Sequence, residues 1–260
     1  MGSGTIRALT YDQPLLFMPL VAILSDIHSN FSALQAVIAD THYARATEIV
    51  CIGDIVGYGP KPGQCLNMIR KMAAVCVQGN HDWAVAHSDK KVRMNPLAAA
   101  GLEFSRQNLK DEQIEWLSKL PLSRKHRGFT LVHSSLHNPH RWPYIFDHFA
   151  AAASLKKQET STCFIGHTHR PDIFSLKEKS NAVEISPLRF QLPPKGRYLI
   201  NVGSVGQPRN EDERAQYVLY DTTKRIAEFR RIPYDIERTV KQINEAGLPE
   251  ELGLRLFVGI

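Results

Sequence analysis

The sequence predicts an α/β protein, and three features carry that expectation. Five short apolar, partly β-branched runs each lead into a glycine or polar cluster. Stretches with apolar residues at helical spacing separate the first three runs, and beyond Ala182 the pattern changes to short strands divided by turn residues.

The runs come in a fixed order. Val21-Ala22-Ile23-Leu24 leads into Asp26-Ile27-His28, Ile49-Val50-Cys51-Ile52 into Gly53-Asp54, and Ala74-Val75-Cys76-Val77 into Gly79-Asn80-His81-Asp82. Phe129-Thr130-Leu131-Val132 leads into His133, and Cys163-Phe164-Ile165 into Gly166-His167-Thr168-His169. Apolar runs this short, bounded by glycine and polar residues, read as buried strands. As parallel strands of one sheet they would carry all five clusters at its carboxyl edge, where open α/β sheets bind ligands.

Between them, residues 30–41 place Phe31, Leu34, Val37 and Ile38 at helical spacing behind an Asn30 cap. Residues 62–72 read as a second helix that buries Leu66 and Ile69, and residues 96–117 as one or two more. Short strands are expected at 197–202, 216–220 and 226–232, forming a second sheet packed on the first. The tail reads as a helix over 235–246, a Gly247-Leu248-Pro249 break and a short helix to about Leu256.

A chain of 260 residues with 43% hydrophobic content can bury one substantial core. Residues 18–260 are therefore expected to form a single domain, and residues 1–17, opening with Met1-Gly2-Ser3-Gly4, a peripheral extension. The net charge of +6 is spread along the chain, which permits nucleic acid as a partner without indicating it. Cys51, Cys65, Cys76 and Cys163 form no CxxC pair, and three of them lie in predicted core strands. They read as small apolar residues in a reducing compartment, so a cytoplasmic location is expected. The most membrane-like stretch, residues 14–24, is too short to span a bilayer, and no membrane partner is expected.

The clusters supply the nitrogen and oxygen donors of a two-metal hydrolytic site. Asp26 and His28 lie two residues apart, so on an extended segment both side chains project to one side and can grip one ion. Average residue usage would give a Gly-Asn-His-Asp string in on the order of one chain in a thousand of this length, so its place behind a strand argues for a site. Donors without thiolate suit Mn²⁺ best, with Fe, Zn²⁺ or Ni²⁺ as alternatives. A carboxylate can bridge two cations, whereas an imidazole offers one nitrogen to one ion. Two cations about 3.5 to 4 Å apart would make a bridging hydroxide available at neutral pH and clamp the phosphoryl oxygens during in-line attack.

This arrangement resembles the calcineurin-like metallophosphoesterase superfamily from Val21 to Asp221. Gly53-Asp54-Ile55-Val56-Gly57-Tyr58-Gly59-Pro60 and Gly203-Ser204-Val205-Gly206-Gln207-Pro208-Arg209 are similar to its compact bacterial single-domain members. The resemblance implies a four-layer α/β/β/α sandwich of two mixed β-sheets flanked by helices. It further implies one ion held by Asp26, His28, Asp54 and His169, and a second by Asp54, Asn80, His133 and His167, with Asp54 bridging. By the same resemblance His81 is the catalytic residue, handling a proton near the leaving-group oxygen. Asp82 is expected to fix its loop or cap the following helix.

Protein Ser/Thr phosphatases of the superfamily carry aspartate and arginine where this chain has Gly57 and Tyr58, which disfavours that activity. Many small members read Asn-Pro-Gly-Ser where this chain has Asn201-Val202-Gly203-Ser204, a change confined to local backbone geometry. Arg141 and Arg209 are candidate phosphate-binding residues through their forked donors. His42, His87, His126 and His148 lack ligand partners at short spacing and are expected to be solvated. Trp83, Trp116 and Trp142 read as packing residues, Trp142 beside Arg141 being open to either packing or base stacking. The expected activity is metal-dependent phosphodiesterase action on small phosphate esters or nucleotides. The alternatives are a phosphomonoesterase or protein phosphatase, a nuclease with a basic groove, and a non-catalytic scaffold of the same fold. Oligomeric state has no signature in the chain.

Overall fold

In the computed structural model, which describes residues 19–87, 94–175 and 189–260, strand β1 (Leu20–Leu24) sends alternate side chains into two different cores. Val21 and Ile23 face one, Ala22 and Leu24 the other, as the two-residue period of a strand requires. β2 (Glu48–Cys51) runs parallel beside β1 and does the same, whereas β3 (Ala73–Cys76), parallel to β2 at the sheet edge, is only part-buried and not the buried strand its apolar run suggested.

The second sheet follows in the chain. It contains β4 (Ser123–His126), β5 (Phe129–Val132), β6 (Thr162–Ile165), β7 (Asp172–Ser175) and, past β8 (Arg189–Gln191), β9 (Tyr198–Asn201), in the order β4-β5-β6-β9-β7. β10 (Ala215–Asp221) and β11 (Ile226–Ile232) return to the first sheet, whose order is β3-β2-β1-β10-β11-β8. Both sheets are mixed: β5, β6 and β9 are parallel neighbours, whereas β1 and β10 pair antiparallel. Val21, Ile23, Val50 and Ile52 meet Phe129, Leu131, Phe164 and Ile200 between the sheets.

Helices cover the outer faces. α1 (Phe31–Tyr43), capped by Asn30, and α2 (Pro62–Met72) set Leu34, Val37, Leu66 and Ile69 against Ala22, Leu24 and Cys51. α3 (Asn80–Ala86), α4 (Pro96–Asn108) and α5 (Asp111–Ser118) extend this layer, so the stretch expected to hold one or two helices holds two. α6 (His148–Lys157) covers the second sheet with Ala151 and Leu155. The result is the expected four-layer α/β/β/α sandwich. α7 (Ile236–Glu245) and α8 (Glu251–Leu254) pack Ile243, Leu248 and Leu252 against Tyr58 and Ala98, which fixes the loop after β2. The expected extension over residues 1–17 lies outside the described residues.

One expectation is corrected. The five cluster-bearing strands do not share a sheet: β1, β2 and β3 lie in the first, β5 and β6 in the second. A strand that is apolar on both faces is satisfied equally by helices on each side or by a helix layer and a second sheet, so the sequence pattern does not separate the two. Elements the pattern missed have weak signals of their own. β4 is polar and exposed, pairing with β5 through its backbone, and α6 reads His-Phe-Ala-Ala-Ala-Ala-Ser-Leu-Lys-Lys with few large apolar residues.

Candidate metal centre

Three of the five clusters leave their strands through backbone turned back on itself. Asp26, His28, Asp54, His167 and His169 all have positive φ, between 48° and 68°, a region that non-glycine residues rarely occupy and that concentrates at functional sites. The Asp26–His28 segment is therefore not extended, as its spacing suggested. It curls, and the curl is held by backbone bonds to the neighbouring loop: Asp26 N donates to Gly53 O at 3.0 Å and His28 N to Asp54 O at 3.0 Å. Gly79 and Gly166 are needed for close approach. A Cβ on Gly79 would lie 2.1 Å from Asp54 Oδ1, and one on Gly166 would lie 2.0 Å from Ser25 Oγ.

The convergence joins both sheets. His169 Nε2 lies 3.2 Å from Asp26 Oδ1 and 3.1 Å from His28 Nε2. His133 Nε2 lies 3.4 Å from Asp54 Oδ2 and 3.1 Å from Asn80 Oδ1. Asp54 Oδ2 is also 3.7 Å from His28 Nε2, so this one oxygen faces both halves of the cluster. Donor atoms of Asp26, His28 and His169, and of Asp54, His133 and His167, lie within 4.8 Å of one another, and His28, Asp54 and His81 form a third such group.

Most of the rings are aimed by the backbone. Nδ1 of His28, His133 and His169 sits 3.1, 2.9 and 2.5 Å from the carbonyls of Val56, Ile52 and Gln207. A proton on each Nδ1 leaves the Nε2 lone pair facing inward, the usual arrangement of metal-bound histidine. Asp26 Oδ2 accepts from Ser25 Oγ and from His167 N, while Oδ1, which faces His169 Nε2, has no hydrogen bond among the described residues, nor do the buried His167 Nε2 and His81 Nδ1.

Burial by itself would raise the Asp26 and Asp54 carboxyls, yet the adjacent imidazoles, His169 for the first and His133 for the second, hold both below the usual range. Burial pulls His167 down to about 3 and His169 to about 4, which leaves both rings neutral with lone pairs to offer. For His133 the carboxylates of Asp54 and Asp26 outweigh burial and push it up to about 9. Two buried anions, the neutral imidazoles of His167 and His169 and orphaned inward-facing donor atoms are the environment a divalent cation satisfies.

Residues 20–225 match the calcineurin-like phosphoesterase superfamily domain. The chain belongs to this superfamily. It is 34% identical to a protein of Methanocaldococcus jannaschii described as uncharacterized, over 92% of this chain and 98% of that one. The crystal structure of a metallophosphoesterase from Sphaerobacter thermophilus superposes with a TM-score of 0.81 at 36% identity, covering 93% of this chain and 99% of the other. A symmetrical bis(5′-nucleosyl)-tetraphosphatase of Psychromonas ingrahamii is 31% identical over 125 residues, 44% of this chain and 43% of that enzyme. Calcineurin-like phosphoesterases depend on two metal ions, and the His/Asp groups here fit that requirement.

The remaining motif residues of this phosphoesterase support the centre. Asp82 accepts from the amides of Ile55, Val56 and Gly79, so it ties the two loops together. Ser204 Oγ and the Gly206 amide donate to Asp26 O, and Asn30 Nδ2 donates to Gly206 O, so the Gly203–Arg209 string props the first loop. His81 is buried with its ring 4.7 Å from both Tyr58 and His28, and burial holds it near 3. A Cβ on Gly57 would lie 2.3 Å from His81 Nδ1, so the ring fills the place beside that glycine.

Arg141 lines a cleft of about 270 Å³ with Tyr58, Asn80, His81, Tyr144 and His167. Arg209 lies beside Tyr58, its guanidinium 5.7 Å from that ring and bonded to Gln207 Oε1 at 2.8 Å. Of the histidines expected to be solvated, His42 is exposed, but His126 pairs with Glu48 at 2.6 Å, His87 stacks on Trp83 and His148 packs on Phe174. Trp142 packs on Trp83 at 5.5 Å. Sequence reasoning missed Tyr144, whose ring stacks on His167 at 4.1 Å; no spacing or motif marks it.

Proposed function

We propose that this chain is a dinuclear phosphodiesterase acting on small phosphodiesters or nucleotides, with residues 18–260 as one catalytic domain. One ion would be held by Asp26, His28, Asp54 and His169, the other by Asp54, Asn80, His133 and His167. The observation that carries the reading is the position of Asp54 Oδ2, 3.7 Å from His28 Nε2 and 3.4 Å from His133 Nε2, where one carboxylate serves both halves. Two divalent cations held there, Mn²⁺ favoured and Fe, Zn²⁺ or Ni²⁺ as alternatives, would supply Lewis acidity and lower the pKa of water.

The chain's own groups do the rest. Asn80 and His81 open α3, and the His81 ring, with Nδ1 turned to Gly57, lines the cleft, where its Nε2 would meet the leaving group. A phosphate anion there favours the protonated ring, which burial otherwise disfavours, and Nε2 then gives its proton to the leaving oxygen. Arg141 at the cleft wall and Arg209 beside Tyr58 hold the remaining phosphate oxygens. The tetraphosphatase likeness supports a nucleotide-like substrate. The four free cysteines support a reducing, cytoplasmic setting, and among the described residues no helix is long and apolar enough to cross a membrane.

The test is turnover of bis(p-nitrophenyl) phosphate, p-nitrophenyl phosphate and diadenosine tetraphosphate by metal-stripped protein reloaded with each ion. Faster cleavage of bis(p-nitrophenyl) phosphate than of the monoester supports the diesterase reading, and cleavage of the diadenosine tetraphosphate anhydride supports a nucleotide substrate. A faster monoester reverses the assignment, and bound metal without turnover of any ester points to a scaffold.

A further inference from the structure

Of the four imidazoles in the two donor groups, His167 alone lacks a carbonyl to aim it. His28, His133 and His169 each place Nδ1 against a backbone oxygen, whereas no hydrogen bond reaches the His167 ring among the described residues. What lies against it is Tyr144, stacked at 4.1 Å with planes 18° apart, while His133 meets it edge-on at 5.0 Å.

Tyr144 is set by the fold. Ile145 is buried at 4% exposure among Val132 and Ile165, while its neighbours Tyr144 and Phe146 are 51% and 58% exposed and stack on each other. Ser134, next to His133, donates its hydroxyl to the Pro143 carbonyl and fastens this segment to the end of β5. Trp142 has φ 43°, a backbone state that a bulky residue adopts only when its surroundings impose it, and it turns the chain just before Tyr144. Phe146 stacks on the outer side of the pair, 5.3 Å from Tyr144 with planes 8° apart.

We propose that Tyr144 is the positioning residue of His167, fixing by ring stacking the orientation that backbone carbonyls fix for the other three. The inference rests on the two-metal reading above. Because Tyr144 is half-exposed and also lines the cleft beside Arg141 and His81, whatever occupies the cleft touches the support of one metal ligand. The ion served by Asp54, His133 and His167 is then the more weakly held of the two, and its retention depends on Tyr144. Loss of a hydrogen-bonded outer support of a metal ligand weakens affinity by about 10–100-fold, and the same range is expected for the stacked support.

The test is competitive titration of Mn²⁺ and Zn²⁺ into metal-free protein against a chromophoric chelator, for wild type, Tyr144→Ala, Tyr144→Phe and Phe146→Ala. Thermal unfolding in chelator establishes that each variant folds, and the imidazole NMR signals of His167 report its ring environment without metal. Tyr144→Ala is expected to weaken the second binding event by about 10–100-fold, leave the first unchanged and shift the His167 signals. Tyr144→Phe, which keeps the stacking face, is expected to bind both ions as wild type does, as is Phe146→Ala. Unchanged second-ion affinity in Tyr144→Ala would overturn the role of Tyr144, and so would an equal loss in Phe146→Ala. Wild type that binds a single ion per chain would instead overturn the two-metal reading and, with it, this inference.

Discussion

Asp54 Oδ1 accepts the backbone N–H of His81 at 2.8 Å. That bond docks the first turn of α3, where amides lack helical partners, onto the carboxylate after β2. It occupies one oxygen and leaves Oδ2 to face His28 and His133 together.

Asp54→Asn should therefore disable both halves of the centre at once. The amide keeps the size but replaces an anionic oxygen with a neutral group that cannot bridge two cations. The expected result is a fall of at least about 10²-fold in kcat/KM and a loss of bound ions. Elemental analysis beside steady-state kinetics checks it, and retention of two ions with normal turnover would count against the bridging role.

His81→Ala should separate proton transfer from metal binding. Both ions are expected to remain, with kcat lowered by about 10²–10⁴-fold for esters whose leaving group needs a proton. For p-nitrophenyl esters the loss should be much smaller, because p-nitrophenolate leaves unprotonated. Equal losses for alkyl and p-nitrophenyl diesters would mean that His81 only orders its loop.

Gly166→Ala should fail through packing. The added methyl would meet Ser25 Oγ at 2.0 Å and Asp26 Oδ2 at 2.3 Å, and neither can retreat without breaking the bond between them. The expected cost is about 1–3 kcal/mol of stability, with weaker binding at the Asp26 half. Chelator-treated protein in a melting experiment reads the first effect and metal titration the second.

Metal loading should release a proton. The metal-free His133 is raised from 6.5 to about 9 by Asp54 and Asp26 against the effect of burial, so it is protonated at neutral pH. A cation displaces that proton, and affinity should climb with pH until about 9 and then level off with respect to this group. The same shift stabilises the metal-free fold below pH 6.5, a contribution lost as pH rises through 9. Calorimetry at neutral pH in buffers of different ionisation enthalpy should show release of about one proton from this site. Buffer-independent heat would contradict the His133 assignment.

The site was legible in the sequence because its donors sit in short strings immediately after strands, and the chain has to turn there. Strings such as Gly79-Asn80-His81-Asp82 and Gly166-His167-Thr168-His169 name the donors, and the apolar runs before them name the strands. The apolar runs were legible as strands, but not what each of their two faces meets. Val21 and Ile23 meet Phe129 and Phe164 across a second sheet, a partnership no local pattern encodes.

What the sequence determined by itself was the inventory: an α/β chain, most of its strands and helices, and the ordered candidate donors of a two-metal site. The tertiary structure decided which donors share an ion-sized space, because His133 and His167 arrive from one sheet and Asp26 and Asp54 from the other. It alone decided that Asp26 and His28 converge by left-handed turns, and that Tyr144 lies on His167. The physical reason is range: strand and helix formation follow from neighbours a few residues apart, whereas coordination geometry is fixed by loops meeting across two sheets.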